Sequence, residues 1–144
     1  MAVTAKIYGK SLLALANKQL NLASDSIWCS LHTSSYTPNQ AAHQYFSDLT
    51  NEASGSGYTA GGVQLTGLTL ANAANIFTAA AASPIWNALS ASFRYAVIYD
   101  KTPGVGASTY PLLSCIDFGA TVSPGGINFG IQFSSGVFYQ ITAS

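Results

Sequence analysis

Alternating apolar and polar positions recur along most of this chain and predict a series of short strands. In residues 27–33, Ile27, Cys29 and Leu31 share one face with a two-residue period, which predicts a strand with one buried face. The same period in residues 93–99 and 127–133 predicts two strands that each bury one face. Those faces carry Phe93, Tyr95, Val97 and Tyr99 in the first strand, and Ile127, Phe129, Ile131 and Phe133 in the second.

Further strands are predicted at 63–66, 68–70, 76–79, 85–87 and 137–141, and a continuous apolar run occupies 112–118. Turn-forming Gly, Pro and Ser residues separate them, most clearly at 104–108 and 123–126. Residues 5–20 have a helical period, with Thr4 as the N-cap and an apolar face made by Tyr8, Leu12, Leu15 and Ala16. The pattern therefore indicates a mainly β protein, a jelly-roll-like sandwich or barrel, with one N-terminal α-helix.

A polar segment at 34–62 is too long for an ordinary connection between strands, and one helical turn is predicted within 40–49. Because disordered segments are poor in aromatic residues, the aromatic content of this one predicts an ordered loop. A buried tyrosine also needs a partner for its hydroxyl, and tyrosine is enriched at protein interfaces. The predicted protein interface therefore consists of Tyr36, Pro38, His43, Tyr45, Phe46 and Tyr58.

Length and charge narrow the possible classes of protein. The 144 residues fit a single domain, 1–144, that is large enough to form its own core. Five basic and five acidic side chains make up 7 % of the chain, against about 25 % in soluble domains. The zero net charge disfavours nucleic acid as a partner, and no apolar run is long enough for a membrane helix. A chain this poor in charge is expected to be a subunit surrounded by neighbours in an assembly.

Residues that could carry catalysis or bind a metal are few and follow no known motif. Residues 55–60 match the G-x-G-x-x-A dinucleotide fingerprint, but Gly61 and Gly62 follow instead of a helix. A turn or bulge that brings a strand into the sheet is therefore expected. His32 and His43, with Asp48 and Glu52 nearby, could gather around a metal or serve a nucleophilic serine. No further motif fixes such a geometry. We therefore expect neither an enzyme nor a cofactor.

The remaining reactive groups are expected to be structural. Cys29 and Cys115 lie in apolar, strand-like segments, where a reduced thiol behaves as a small hydrophobic group. Such cysteines suit synthesis in the cytoplasm. Asp25 and Asp100 are predicted in turns, and Asp117 at the end of a strand.

Several sequence motifs occur in a particular order along the chain. They are LHTSSYTPNQ at 31–40, then His43, Tyr45, Phe46 and Asp48, then GSGYTAGG at 55–62, RYAVIY at 94–99 and IDFG at 116–119. Together, over about residues 7–141, they resemble a family of small virion structural proteins of tailed bacteriophages. The Ala-rich segment 72–82 departs from the family pattern. The resemblance implies a capsid decoration (cement) protein or a tail-associated component, and it brings no catalytic or metal-binding residues.

The resemblance and the low charge together predict a capsid decoration protein on the outside of a phage head. Its expected partner is the major capsid protein, its location the virion after synthesis in the bacterial cytoplasm, and self-association as a homo-oligomer is also expected. One alternative is a tail- or fibre-associated structural protein. Another is a carbohydrate-binding module for host adsorption, with Trp28 or Trp86 as a stacking platform.

Overall fold

The computed structural model describes residues 3–102 and 109–144, and the turn predicted at 104–108 lies outside them. Its elements are β1 (Thr4–Ile7), α1 (Lys10–Ala16), β2 (Ile27–His32), β3 (Val63–Gln64), β4 (Thr69–Ala73), β5 (Ile76–Ala80), β6 (Ile85–Leu89), β7 (Phe93–Asp100), β8 (Leu112–Val122), β9 (Ile127–Gly130) and β10 (Val137–Thr142). Short 3-10 turns lie at Phe46–Asp48 and Ser134–Gly136. The predicted mainly β class is confirmed. No helix in the described ranges is long and apolar enough to cross a bilayer.

The strands form three antiparallel sheets. The largest has the order β1-β8-β7-β2-β3, the second β10-β5-β4, and the third is the pair β6-β9. Buried side chains of β2, β7 and β8 pack in one core with Ala79 of β5, Trp86 of β6 and Phe138 of β10. The two smaller sheets thus cover one face of the five-stranded sheet in a sandwich-like fold.

The opposite face of the five-stranded sheet is buried as well. Tyr95, Val97 and Tyr99 of β7 form a second cluster, against which Phe46 and Leu49 of the long loop pack. The prediction that strands 27–33 and 93–99 bury only one face is therefore wrong. Alternation along a strand shows which residues share a face, but it does not show that a distant loop covers the other face.

Two predicted apolar faces are interrupted in the structure. The pairing of β7 with β8 shifts register between Phe93 and Tyr95, so Phe93 lies in the first core and Tyr95 in the second cluster. Residues 127–133 do not form one strand, because β9 ends at Gly130 and the next backbone N–H, that of Ile131, donates to the carbonyl of Pro84 at 3.1 Å. Ile127 is 66 % exposed, whereas Ile131 and Phe133 are buried.

The predicted helix at 5–20 is shorter than expected. Residues 4–7 instead form β1 and pair with β8, from Thr4 opposite Asp117 to Ile7 opposite Ser114, so Thr4 is not an N-cap. The buried positions of α1 are Ser11 and Ala14, not Leu12, Leu15 and Ala16 of the predicted apolar face. Pairing with a strand more than a hundred residues away overrides the local helical period here.

Candidate functional site

The loop at 34–62 supplies most of the predicted interface residues, and several of them have partners within the chain. Tyr36 is buried, and its hydroxyl lies 2.8 Å from both the Tyr8 hydroxyl and Nδ1 of His43. Its ring meets that of Tyr95 edge-on, with 5.6 Å between the centroids. The Tyr36 hydroxyl is therefore satisfied without a partner protein.

Tyr45 and Phe46 fix the 3-10 turn of the loop to the sheet. The Phe46 ring lies 4.4 Å from that of Tyr99, and the Tyr45 hydroxyl accepts a hydrogen bond from Gln44 Nε2 at 3.0 Å. Oδ2 of Asp48 accepts hydrogen bonds from the backbone N–H groups of Gln44 and Tyr45 at 2.8 and 2.9 Å. Desolvation opposes its charge, but these hydrogen bonds outweigh that effect and lower the pKa of Asp48.

Tyr58 joins the end of the loop to the sheet. Its hydroxyl donates to Oε1 of Glu52 at 2.6 Å and accepts the backbone N–H of Leu31 at 3.0 Å. The same Glu52 oxygen accepts the N–H of Gly61 at 2.6 Å. Burial, together with the hydrogen bond to Glu52, raises the pKa of Tyr58. Tyr58 thus stabilises the loop in its closed position over the sheet.

The G-x-G-x-x-A segment forms a turn, as predicted. The Tyr58 N–H donates to the Gly55 carbonyl at 3.2 Å, and Gly57 has a positive φ of 80°. A Cβ at position 57 would lie 2.5 Å from the carbonyl oxygen of Ala88, so glycine is required by a close approach to β6. The glycines of this segment therefore have a structural explanation.

A serine–histidine pair lies beneath the loop, in a closed environment. Ser30 Oγ is 2.9 Å from Nε2 of His32, and Nδ1 of His32 is 2.9 Å from the Thr50 carbonyl oxygen. The Thr50 carbonyl oxygen can only accept a hydrogen bond, so Nδ1 of His32 carries the proton. Nε2 of His32 therefore accepts a hydrogen bond from the Ser30 hydroxyl. Both side chains are buried, and desolvation lowers the pKa of His32. The pair is neutral at physiological pH and inaccessible to a substrate.

The candidate metal ligands are not brought together. His43 bonds to Tyr36, Asp48 caps its turn, Glu52 bonds to Tyr58, and His32 bonds to Ser30. In ranges 3–102 and 109–144, no group of three or more His, Cys, Asp or Glu residues could hold a metal. Each side chain has a local structural partner instead.

The two tryptophans differ in accessibility. Trp86 is 2 % exposed and lies in the core, so its prediction as a stacking platform is wrong. Trp28 is partly exposed, but the Lys101 ammonium nitrogen lies 4.0 Å from its ring centroid. One face of this ring is therefore already occupied by a cation–π contact.

A pocket of about 250 Å³ opens where the loop meets the edge of the sheet. Gln40 fixes its loop wall by donating to the Ile7 carbonyl at 2.7 Å. Asp117, predicted at a strand end, lies within β8 and accepts two hydrogen bonds from Arg94, at 2.9 and 3.1 Å. The lining residues are Thr4, Lys6, Tyr8, Pro38, Gln40, Tyr95, Cys115 and Asp117.

The second notable region is a surface without formal charge. No Asp, Glu, Lys or Arg occurs between Glu52 and Arg94 or after Asp117, and these segments form β3 to β6, β9 and β10. Both smaller sheets are therefore uncharged, and we name them the charge-free sheets. All five residues of the edge strand β4 are exposed, including Leu70 at 42 %.

The charge-free sheets are not among the interface residues predicted from the sequence. Their signal is visible in the sequence as two long intervals without an ionic residue. The distribution of charge along the chain carries this information, whereas the total charge does not. The loop aromatics showed a stronger local pattern, but much of that pattern serves packing within the chain.

Comparisons with protein-family models, with curated proteins and with solved structures find no match to this chain. The resemblance to bacteriophage virion proteins stays a prediction.

Proposed function

We propose that this protein is a bacteriophage capsid decoration protein, which binds the outside of the head and stabilises the lattice of the major capsid protein. The observation that carries the proposal is the separation of charge in the fold. All ten charged side chains belong to the five-stranded sheet, α1 and the connecting segments around them, and none belongs to the charge-free sheets. The charge-free sheets are the proposed docking surface.

Desolvation explains why an uncharged surface suits docking. A charge buried at an interface must be paired and hydrogen-bonded, or its desolvation opposes binding. The charge-free sheets avoid that cost. They also present apolar side chains, because Ile85 and Ile127 on the pair β6-β9 are 56 % and 66 % exposed. Burial of such side chains favours association.

The charged part of the molecule suits contact with water. Lys6, Lys10, Lys18 and Asp48 belong to β1, α1 and the loops beside them. Charged groups on a solvent-facing side oppose unwanted association between particles. The proposed orientation therefore places the charge-free sheets on the capsid and the covering loop away from it.

Stabilisation of the capsid follows from mass action. A protein that binds the assembled lattice, but not the dissociated subunits, shifts the equilibrium toward the lattice. Because the symmetry of a capsid repeats each contact many times, a weak contact per copy is sufficient. Self-association around a symmetry axis would add further contacts between copies.

A heating experiment tests the proposal. Purified protein is added to particles that lack it, and the temperature of capsid rupture is measured. We expect a higher rupture temperature with the protein present, a copy number comparable to that of the major capsid protein, and a loss of binding in Leu70→Asp. Equal rupture temperatures, or a copy number of only a few per particle, would contradict a decoration role.

The matched control is Leu12→Asp, because Leu12 on α1 is 48 % exposed and Leu70 on β4 is 42 % exposed. Both substitutions replace a half-exposed leucine by a carboxylate, but only Leu70 lies on the charge-free sheets. Equal binding of the two variants would show that the charge-free sheets are not the docking surface.

A further inference from the structure

Strand β4 forms a free edge of the sheet β10-β5-β4. All five of its residues are exposed, so the rest of the chain leaves both of its faces largely uncovered. It pairs with β5 without a register shift, and its sequence has neither a charged residue nor a proline. Natural proteins protect sheet edges with charges, proline, bulges or very short strands, because a free edge can pair with another chain. β4 has none of these protections.

The other edge strands in ranges 3–102 and 109–144 each have one. β1 carries Lys6, and β3 is only two residues long. The pairing of β10 with β5 shifts register after Val137, and the pairing of β6 with β9 shifts register after Trp86. β4 therefore differs from every other described edge in being regular, uncharged and five residues long.

The backbone groups of Leu70 and Asn72 point away from β5. The β4-β5 hairpin turns at 74–75, where both φ angles are positive, at 51° and 64°, as in a type I′ turn. Ala73 and Ile76 flank this turn, are paired in register, and exchange backbone hydrogen bonds in such a hairpin. Because hydrogen bonding alternates along an antiparallel pair, the N–H and C=O groups of Leu70 and Asn72 have no partner in the described part of the chain.

We propose that two copies of this chain pair through β4, antiparallel, with Leu70 of each copy opposite Asn72 of the other. In this register each Leu70–Asn72 pair exchanges two backbone hydrogen bonds, so every free group on both edges gains a partner. Two three-stranded sheets become one continuous sheet of six strands. The arrangement has two-fold symmetry, the commonest symmetry of protein dimers.

Ala71 lies on the symmetry axis in this register, directly opposite Ala71 of the other copy. The two residues form a pair without hydrogen bonds between them, in which the Cα atoms approach to about 4.5 Å and the side chains are close. A methyl group fits this position. The interval from Glu52 to Arg94 carries no charge, so the two edges meet without electrostatic repulsion.

The same symmetry favours a second copy over a different protein as the occupant of the edge. One strand supplies donors and acceptors in the order that its own copy requires, whereas a foreign strand would have to match them separately. Pairing through the edge also leaves the face that carries Leu70 and Asn72 free, so it is compatible with the proposed docking of the charge-free sheets. Two five-residue strands bury less than the about 1,200–2,000 Å² of a standard interface, so the dimer is expected to be weak.

Sedimentation velocity of the free protein, from about 10 μM to about 1 mM, tests the dimer. We expect a dimer whose fraction rises with concentration. Hydrogen exchange followed by NMR should show slower exchange of the Leu70 and Asn72 N–H groups at the high concentration than at the low one. Exchange at the Ala71 N–H, which already bonds to β5, should change less.

Charge substitutions at Ala71 test the register. Ala71→Lys and Ala71→Glu each place like charges opposite one another across the axis, so each variant should associate about fivefold more weakly than the natural protein. An equimolar mixture of the two variants places opposite charges there and should associate more tightly than either variant alone. This recovery also shows that both variants are folded.

Ala41→Lys is the matched control, because Ala41 is an exposed alanine of the long loop, outside β4. This variant should dimerise like the natural protein. The proposal is overturned if the natural protein stays monomeric up to about 1 mM, which would leave the edge of β4 to a strand of another protein. It is equally overturned if the Ala71 variants associate like the natural protein, or if their mixture associates no better than each alone. All these measurements use the free protein, so their outcome is independent of capsid binding.

Discussion

Gly62 lies directly against the backbone of Cys29: a Cβ at position 62 would be 1.8 Å from the Cys29 carbonyl oxygen. Gly62 also has a φ of +86°, which residues with a side chain rarely adopt. The next residue, Val63, begins β3 and pairs with Cys29. This contact is where the long loop returns to the sheet, so the conformation of Gly62 determines how β3 meets β2.

Replacing Gly62 by alanine should therefore destabilise the protein strongly. The methyl group must displace backbone atoms, which do not give way as a flexible side chain does, and the positive φ adds strain. We expect a loss of about 3 kcal/mol in the free energy of unfolding, measured by denaturant titration. Gly67→Ala is the control, because φ is +64° there but nothing lies within 4 Å of the added Cβ. Equal losses for the two variants would contradict the steric explanation.

The hydrogen bond between Tyr58 and Glu52 should contribute measurably to stability. Tyr58→Phe removes a 2.6 Å hydrogen bond to a carboxylate and also leaves the Leu31 N–H without its acceptor. We expect a loss of about 2 kcal/mol in the free energy of unfolding. A double-mutant cycle with Glu52→Gln isolates the coupling between the two side chains. Strictly additive losses would show that the pair is not coupled.

Part of this fold could be predicted from the sequence because its signal is local. Alternation in residues 27–33 predicted β2, and the strand predicted at 137–141 is β10. The aromatic content of 34–62 predicted an ordered loop. It was harder to predict which side of the sheet each side chain lies on. The pairing of β7 with β8 shifts register between Phe93 and Tyr95, and these two rings lie on opposite sides of the sheet.

The remaining features depend on pairs of residues that are distant in sequence. Residues 4–7 have a helical period, yet they form β1 because β8 offers them backbone partners. Tyr36 is predicted at an interface because a buried tyrosine needs a partner for its hydroxyl, and Tyr8 and His43 supply that partner within the chain. Neither pairing follows from local sequence, because chain topology decides which segments meet.

Stability should depend on pH through Asp100. Burial, and then the neighbouring Asp25 carboxyl group, raise the pKa of Asp100 to about 7. Because the folded pKa lies above the ordinary value of about 3.9, the protonated form is favoured by folding. This contribution is present below about pH 4 and is lost as the pH rises toward 7.

Asp100→Asn should remove that pH dependence. The amide oxygen keeps the hydrogen bond from Thr102, and the variant has no charge to bury. Above pH 7 we expect the variant to be more stable than the natural protein by about 1–3 kcal/mol, the range for a buried polar group without a partner. Thermal unfolding across pH 4 to about 8 measures the difference. Parallel stability curves for the two proteins would contradict the assignment.

Both cysteines should react slowly in the folded protein. Burial raises the pKa of Cys115 to about 11, and it raises that of the fully buried Cys29 further. At about pH 8 the thiolate population of Cys115 is lower than that of a free cysteine by roughly two orders of magnitude. We expect iodoacetamide to alkylate Cys115 before Cys29, because Cys115 lines the pocket. Mass spectrometry measures the extent of alkylation at each cysteine.

Denaturation should bring the two thiols to equal reactivity, and Cys115→Ser should leave only the slower reaction. Faster alkylation of Cys29 in the folded state would contradict the burial described for β2.

The absence of ionic side chains from the charge-free sheets has a consequence for how this molecule would respond to dissolved salt. Mobile ions weaken attraction between charged surfaces over about 10 Å at 0.1 M, but they have no such effect where neither sign of charge is present. Adhesion through β4 and its neighbours would therefore persist in brine and in dilute buffer alike, and temperature rather than ionic strength would govern it.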